Sequence, residues 1–130
     1  MKKLLSLVAG LALASTLAVA DDSFPSISTA DLKQAIAKKQ VTLLDVNGTE
    51  SYTEGHIPGA LDFDTVEAKL AKALPADKNA LIVAYCGSEI CTAYKAGAEA
   101  AKKLGYTNVK HYSQGIAGWK KAGEPTDKVK

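Results

Sequence analysis

The chain contains no arginine; all 16 of its basic residues are lysine. No side chain can therefore offer the planar, two-point fork that best matches an oxyanion. Charge of one sign is lacking too, because the 16 lysines face 14 acidic residues. Nothing in that balance directs the protein to nucleic acid. Cysteine and histidine are scarce: Cys86, Cys91, His56 and His111 show none of the usual zinc-ligand spacing, so no metal and no cofactor is expected. No apolar run reaches the roughly 20 residues of a membrane span. Internal repeats, low-complexity stretches and interdomain linkers are also missing, which leaves one domain with a single core.

What is present begins with a leader-like segment. Met1-Lys2-Lys3 supplies a charged start, Leu4 to Ala14 an apolar stretch, and Ala18-Val19-Ala20 a small-residue cleavage pattern. The expectation is a signal peptide over residues 1–20 and a mature domain over residues 21–130, with a periplasmic or secreted location. No cysteine lies near the cleavage point, so no stable membrane anchor is expected after cleavage. With Lys2 and Lys3 removed, basic and acidic residues balance.

Hydrophobic period and punctuation then alternate between strand and helix. A short β segment is expected over Phe24 to Ile27. Ser28 reads as an N-cap of a helix that buries Leu32, Ala35 and Ile36 and ends near Lys39. Strands follow over Val41 to Val46, Leu61 to Phe63, Ala80 to Tyr85 and Val109 to Tyr112. Between them lie a single turn at Glu50 to Glu54, a helix through Val66 and Leu70 that stops at Pro75, and a helix from Thr92 to Leu104 ended by Gly105. Alternation of this kind implies parallel βαβ units in a three-layer α/β sheet, with ligands outside the carboxyl ends of its strands.

One such end carries a cysteine. Leu81-Ile82-Val83-Ala84-Tyr85-Cys86 is an apolar strand closing on a thiol, and Gly87-Ser88-Glu89-Ile90-Cys91 leads into the helix that follows. Backbone N–H groups of the loop and first helical turn favour negative charge there, the setting of a nucleophilic or persulfide-carrying sulfur. Asp45, at the end of another strand, reads as a buried acceptor for loop N–H groups. His56, between Gly55 and Ile57, reads as a residue whose ring holds its own turn by bonding backbone.

Five ordered segments resemble the single-domain rhodanese-like (thiosulfate sulfurtransferase-like) family. These are Leu43-Leu44-Asp45-Val46, Tyr52 to Ala60, the loop Tyr85-Cys86 to Thr92, Gly105 to Val109, and Gly115-Ile116-Ala117-Gly118-Trp119. The resemblance spans about Ile27 to Pro125. It implies a rhodanese-like fold with a central five-stranded parallel sheet flanked by helices. It also implies a sulfurtransferase or sulfane-sulfur carrier in which Cys86 becomes a persulfide and passes sulfur to a thiophilic acceptor. The backbone N–H groups of Gly87, Ser88, Glu89, Ile90 and Thr92 would cradle the anionic sulfur, whatever their side chains. A small sulfur-containing donor and a thiol acceptor are the implied partners.

Departures from the family pattern qualify the substrate. The typical loop reads Cys-Arg-x-Gly-x-Arg, whereas here both arginines are replaced, the inner glycine is Glu89 and the final arginine position is Cys91. Asn47 likewise stands where the family's Asp-Val-Arg places arginine. A carboxylate beside an anion site opposes binding by on the order of 1–4 kcal/mol at 4 Å, which argues against thiosulfate as the natural donor. Cys91 has three readings: a packed residue at the helix start, a disulfide partner of Cys86, or a resolving thiol that attacks a persulfide or sulfenate on Cys86. Two further functions stay open, a periplasmic thiol–disulfide or redox-sensing module using both cysteines and a catalytically idle domain that binds a partner protein.

Overall fold

The computed structural model describes residues 24–130. The leader assigned to residues 1–20 lies outside the described residues. Among these, no helix is long and apolar enough to cross a membrane.

Four short strands, β1 (Thr42–Asp45), β2 (Leu61–Asp62), β3 (Ile82–Tyr85) and β4 (Val109–His111), form one sheet in the order β2-β1-β3-β4. All three pairings are parallel. Helix α1 (Thr29–Ala37) precedes β1, and the chain between strands supplies α2 (Thr49–Glu54), α3 (Phe63–Val66), a 3-10 turn (Glu67–Lys69), α4 (Leu70–Ala73) and α5 (Tyr94–Lys103). A last helix, α6 (Gly115–Lys121), follows β4.

Strand alternation sends neighbouring side chains to opposite faces, and two cores result. Leu44, Ile82 and Ala84 join Phe63, Leu70, Ala98 and Ala101 under α3, α4 and α5. Leu43, Val83 and Tyr85 join Leu32, Ile57, Tyr112 and Trp119 under α1 and α6. Because β1 and β3 are covered on both sides, they read as near-continuous apolar runs.

The expected five-stranded sheet is corrected to four. Phe24 to Ile27 contributes one parallel bridge, Ser26 with His111, built from Ile27 N–H to His111 O at 2.9 Å and His111 N–H to Pro25 O at 2.9 Å. Pro25 has no N–H to extend the ladder, and two residues after the bridge Ser28 turns the chain into α1. As expected, Ser28 caps that helix, its Oγ accepting from the Asp31 N–H at 3.1 Å. The helix expected before Pro75 is broken into α3, the 3-10 turn and α4, and Phe63, Leu70 and Leu74 reach the same core from its pieces. Helix α6 was not expected at all.

Candidate active site

The site forms where β3 leaves the sheet. Val83 and Tyr85 anchor one face, Ile82 and Ala84 the other, and Cys86 follows as the first residue past the strand, only 3% exposed. Residues 87–93 then return the chain to the start of α5, where no side chain caps the first turn. Gly87, Ser88 and Cys91 are half-buried, Glu89 and Thr92 are exposed, and Ile90 projects at the apex, 93% exposed.

Cys86 and Cys91 are joined by a disulfide, with Cα atoms 6.3 Å apart. This bonded state is common to two of the three readings of Cys91, the disulfide partner and the resolving thiol. The sulfur expected as a thiolate is therefore held here in its oxidised, bonded form. A separation under about 7 Å permits such a bond without moving the backbone. A turn helps, because the Cys91 N–H bonds back to Ser88 O at 3.1 Å.

Helix α6 fixes the other side of the loop. The N–H groups of Ile116 and Ala117 donate to the carbonyls of Cys86 and Gly87, both at 2.9 Å. The described residues include no cis peptide. In a planar trans peptide the N–H lies opposite the C=O, so the Gly87 and Ser88 N–H groups point to the side of the loop away from α6. Among the described residues, the N–H groups of Gly87, Ser88, Glu89, Ile90 and Thr92 have no protein acceptor. The loop thus carries free donors in the segment that follows a buried sulfur.

This close approach explains Gly115. Its φ is +63°, and a Cβ there would meet Cys86 O at 2.6 Å and Gly87 C at 2.7 Å. Only glycine relieves both the left-handed conformation and the contact. Gly115, Ile116 and Ala117 are the functional residues that sequence reasoning missed. Their segment carried family resemblance but no role, and its two glycines obscured the helix.

The neighbouring strand end is built differently. Asp45, fully buried and paired in register with Tyr85, accepts the Tyr85 hydroxyl at 2.7 Å and the Asn47 N–H at 2.9 Å. Tyr85 in turn accepts the Ile57 N–H at 3.0 Å. Burial pushes the Asp45 carboxyl above its ordinary 3.8, while these hydrogen bonds pull the other way. Burial and the adjacent Asp45 both raise the Tyr85 phenol far above its usual value, so it stays a donor. Asp45 is the buried acceptor expected of it.

His56 is equally committed. Its Nδ1 bonds Tyr52 O at 2.8 Å, its ring stacks on Tyr52 at 3.8 Å, and its backbone pairs both ways with Asp127 at 2.9 Å. It holds its turn, as expected, and is not brought to the sulfur loop by any of these bonds. His111 lies at the end of β4 against Tyr94, with ring centroids 4.2 Å apart. Burial lowers its imidazole pKa below 6.5, and Lys95 lowers it further.

Outside the loop, an open groove of about 640 Å³ runs between Ser88–Ile90 and the flank of α6 formed by Gln114, Ala117, Gly118 and Lys121. Glu89 and Lys121 place opposite charges on its two walls. Asn47 approaches the loop from the sheet side, its Oδ1 3.7 Å from where a Cβ on Gly87 would stand.

Comparison with known proteins fits this arrangement. Residues 28–122 match the Rhodanese-like domain family, and the chain belongs to it. An HTH-type transcriptional regulator of Mycobacterium tuberculosis is 36% identical over 104 residues, covering 78% of this chain but 44% of the regulator. The chain thus spans less than half the length of that relative. The human thiosulfate:glutathione sulfurtransferase is 29% identical over 108 residues, covering 73% of this chain and 92% of the human protein. The crystal structure of a rhodanese-related protein from Thermoplasma volcanium superposes with a TM-score of 0.61 at 25% identity, covering 80% and 98% of the two chains. Sulfurtransferases are therefore among the relatives of this domain.

Proposed function

We propose that the protein is a sulfurtransferase or sulfane-sulfur carrier whose nucleophile is Cys86 in its reduced form. One observation carries the reading: a buried cysteine at a strand end is enclosed by a loop whose amides are unspent, while α6 takes up the carbonyls that would otherwise compete. Reduced Cys86 attacks the outer sulfur of a donor R–S–S⁻, forms Cys86–S–S⁻, and releases the thiolate RS⁻. Free N–H groups of Gly87, Ser88, Glu89, Ile90 and Thr92 compensate the negative charge of that persulfide. A thiol acceptor then takes the terminal sulfur. Because Glu89 adds negative charge and no arginine offsets it, the preferred donors are persulfides or polysulfides rather than thiosulfate.

The leader-like N-terminus supports action outside the cytoplasm, in a periplasmic or secreted setting that also favours the disulfide. To test the chemistry, the reduced Cys91→Ser chain, which keeps Cys86 as its one thiol, is incubated with polysulfide, glutathione persulfide or thiosulfate and its intact mass is measured. A gain of about 32 Da on Cys86 is expected for the first two. No gain from any donor, in a folded and reduced chain, overturns the proposal.

The Cys86–Cys91 disulfide favours a second reading, a thiol–disulfide exchange module. Under that reading, the chain exchanges its disulfide with dithiols at a useful rate but never acquires the extra sulfur.

A further inference from the structure

The disulfide shows which atom Cys91 can reach: its sulfur bonds the sulfur of Cys86 within the folded loop. In a persulfide that same Cys86 sulfur is the inner, carbon-bound one. We propose that Cys91 resolves the Cys86 persulfide, so that the chain discharges sulfane sulfur as hydrogen sulfide with electrons drawn from a dithiol. The inference rests on the persulfide reading above and adds what becomes of the sulfur.

The step balances within the loop. The Cys91 thiolate attacks Cys86 Sγ, the bond from Sγ to the outer sulfur breaks, and the Cys86–Cys91 disulfide forms. The outer sulfur departs with the bonding electron pair and takes up the proton given up by the thiol, leaving as HS⁻. That sulfur is reduced, and the two cysteine thiols are oxidised to the disulfide. Hydrosulfide is a weaker base than an alkyl thiolate, which makes it the better leaving group. The Cys91 N–H to Ser88 O bond holds the attacking residue on the same turn.

Exposure sets the direction of the return. Cys86 is 3% exposed, whereas Cys91 is half-buried and flanked by the exposed Ile90 and Thr92. A dithiol therefore attacks the Cys91 sulfur, and Cys86 leaves as a thiolate beside the free loop amides. The reductant's second thiol then closes on the mixed disulfide and releases Cys91. The net reaction converts one sulfane sulfur and one dithiol into hydrogen sulfide and one disulfide.

A single-turnover experiment separates this from simple carriage. The reduced chain and its Cys91→Ser variant are mixed with one equivalent of glutathione persulfide, alkylated at intervals, and read by intact mass and by free sulfide. The parent is expected to pass through the species heavier by about 32 Da and end about 2 Da below its reduced mass, with one sulfide released per chain. The variant stops at the heavier species and releases sulfide at least about tenfold more slowly, because it lacks the intramolecular attack. Cys91→Ala behaves as Cys91→Ser does. If parent and variants hold the added sulfur equally, or release sulfide equally fast, the resolving role is overturned while carriage at Cys86 stands. If neither gains mass, the persulfide reading itself fails and this inference falls with it.

Discussion

Strands β1 and β3 lie side by side in register, yet their carboxyl ends use hydrogen bonds in opposite ways. At the end of β1, Asp45 accepts from Tyr85 and Asn47, and Tyr85 accepts from Ile57. Each of these three donors is matched inside the protein. At the end of β3, the carbonyls of Cys86 and Gly87 are taken by α6, and five N–H groups of the loop have no protein acceptor among the described residues. A buried polar group without a partner costs about 1–3 kcal/mol, so a fold keeps free donors where solvent or a ligand completes them. Closed bonding makes β1 a scaffold, and the open set beside Cys86 is what supports the anionic sulfur proposed for the end of β3.

The sharpest way to break this contrast is to remove the sulfur. Cys86→Ser is expected to abolish the mass gain from every sulfane donor under reducing conditions, while circular dichroism shows the fold retained. Under oxidising conditions the same variant also loses a short disulfide loop, worth about 2 kcal/mol in denaturant titration.

Gly115→Ala attacks the wall that turns the carbonyls outward. Its Cβ would stand 2.6 Å from Cys86 O in a backbone with φ +63°, so a loss of about 3 kcal/mol is expected in urea unfolding. Sulfur loading should fall with it, even where the chain remains folded. A matching break on the β1 side is Tyr85→Phe, which strands Ile57 N–H and one oxygen of Asp45. Its expected cost is about 2 kcal/mol, with loading per folded chain unchanged if the two strand ends act separately. Unfolding curves and intact mass check both halves of that statement.

Acidity sharpens the contrast further. Burial raises the folded-state Asp45 pKa, so between 3.8 and that higher value the folded chain binds more protons than the unfolded one. Stability from this group is complete below 3.8 and declines as pH rises through the folded value. Asp45→Asn is expected to gain on the parent over that range, measured by urea midpoints at stepped pH. The smallest effect belongs to Glu89→Lys. Reversing this exposed charge is expected to raise the initial rate with thiosulfate about fivefold at low salt, and less as salt screens it.

Much of the candidate site was legible because its signals are local. The apolar run Ile82 to Tyr85 ends on Cys86, Ser28 announces a helix start, and Gly105 a helix stop. Those features depend on neighbours in sequence, so period and capping chemistry suffice to read them. Asp45 and His56 were also placed in their supporting roles, since strand ends and glycine-proline turns make such bonding predictable in kind. The extra strand at Phe24 to Ile27 failed because Pro25 and Ser28 allow only one bridge, a limit set by pairing with His111. The helix at Gly115 to Lys121 was hidden by Gly115 and Gly118, which read as turn residues until the contact with Cys86 gives Gly115 its reason.

By itself the amino-acid order determined the α/β alternation, the cysteine at a strand end, and the lack of any guanidinium to meet an oxyanion. Tertiary structure alone decided that Cys91 bonds Cys86, that Asp45 meets Tyr85 across two strands, and that α6 absorbs the carbonyls of the sulfur loop. The division has one physical cause. Propensity and period act over a few residues, whereas these bonds join segments that only sheet register and helix packing bring within a few ångströms.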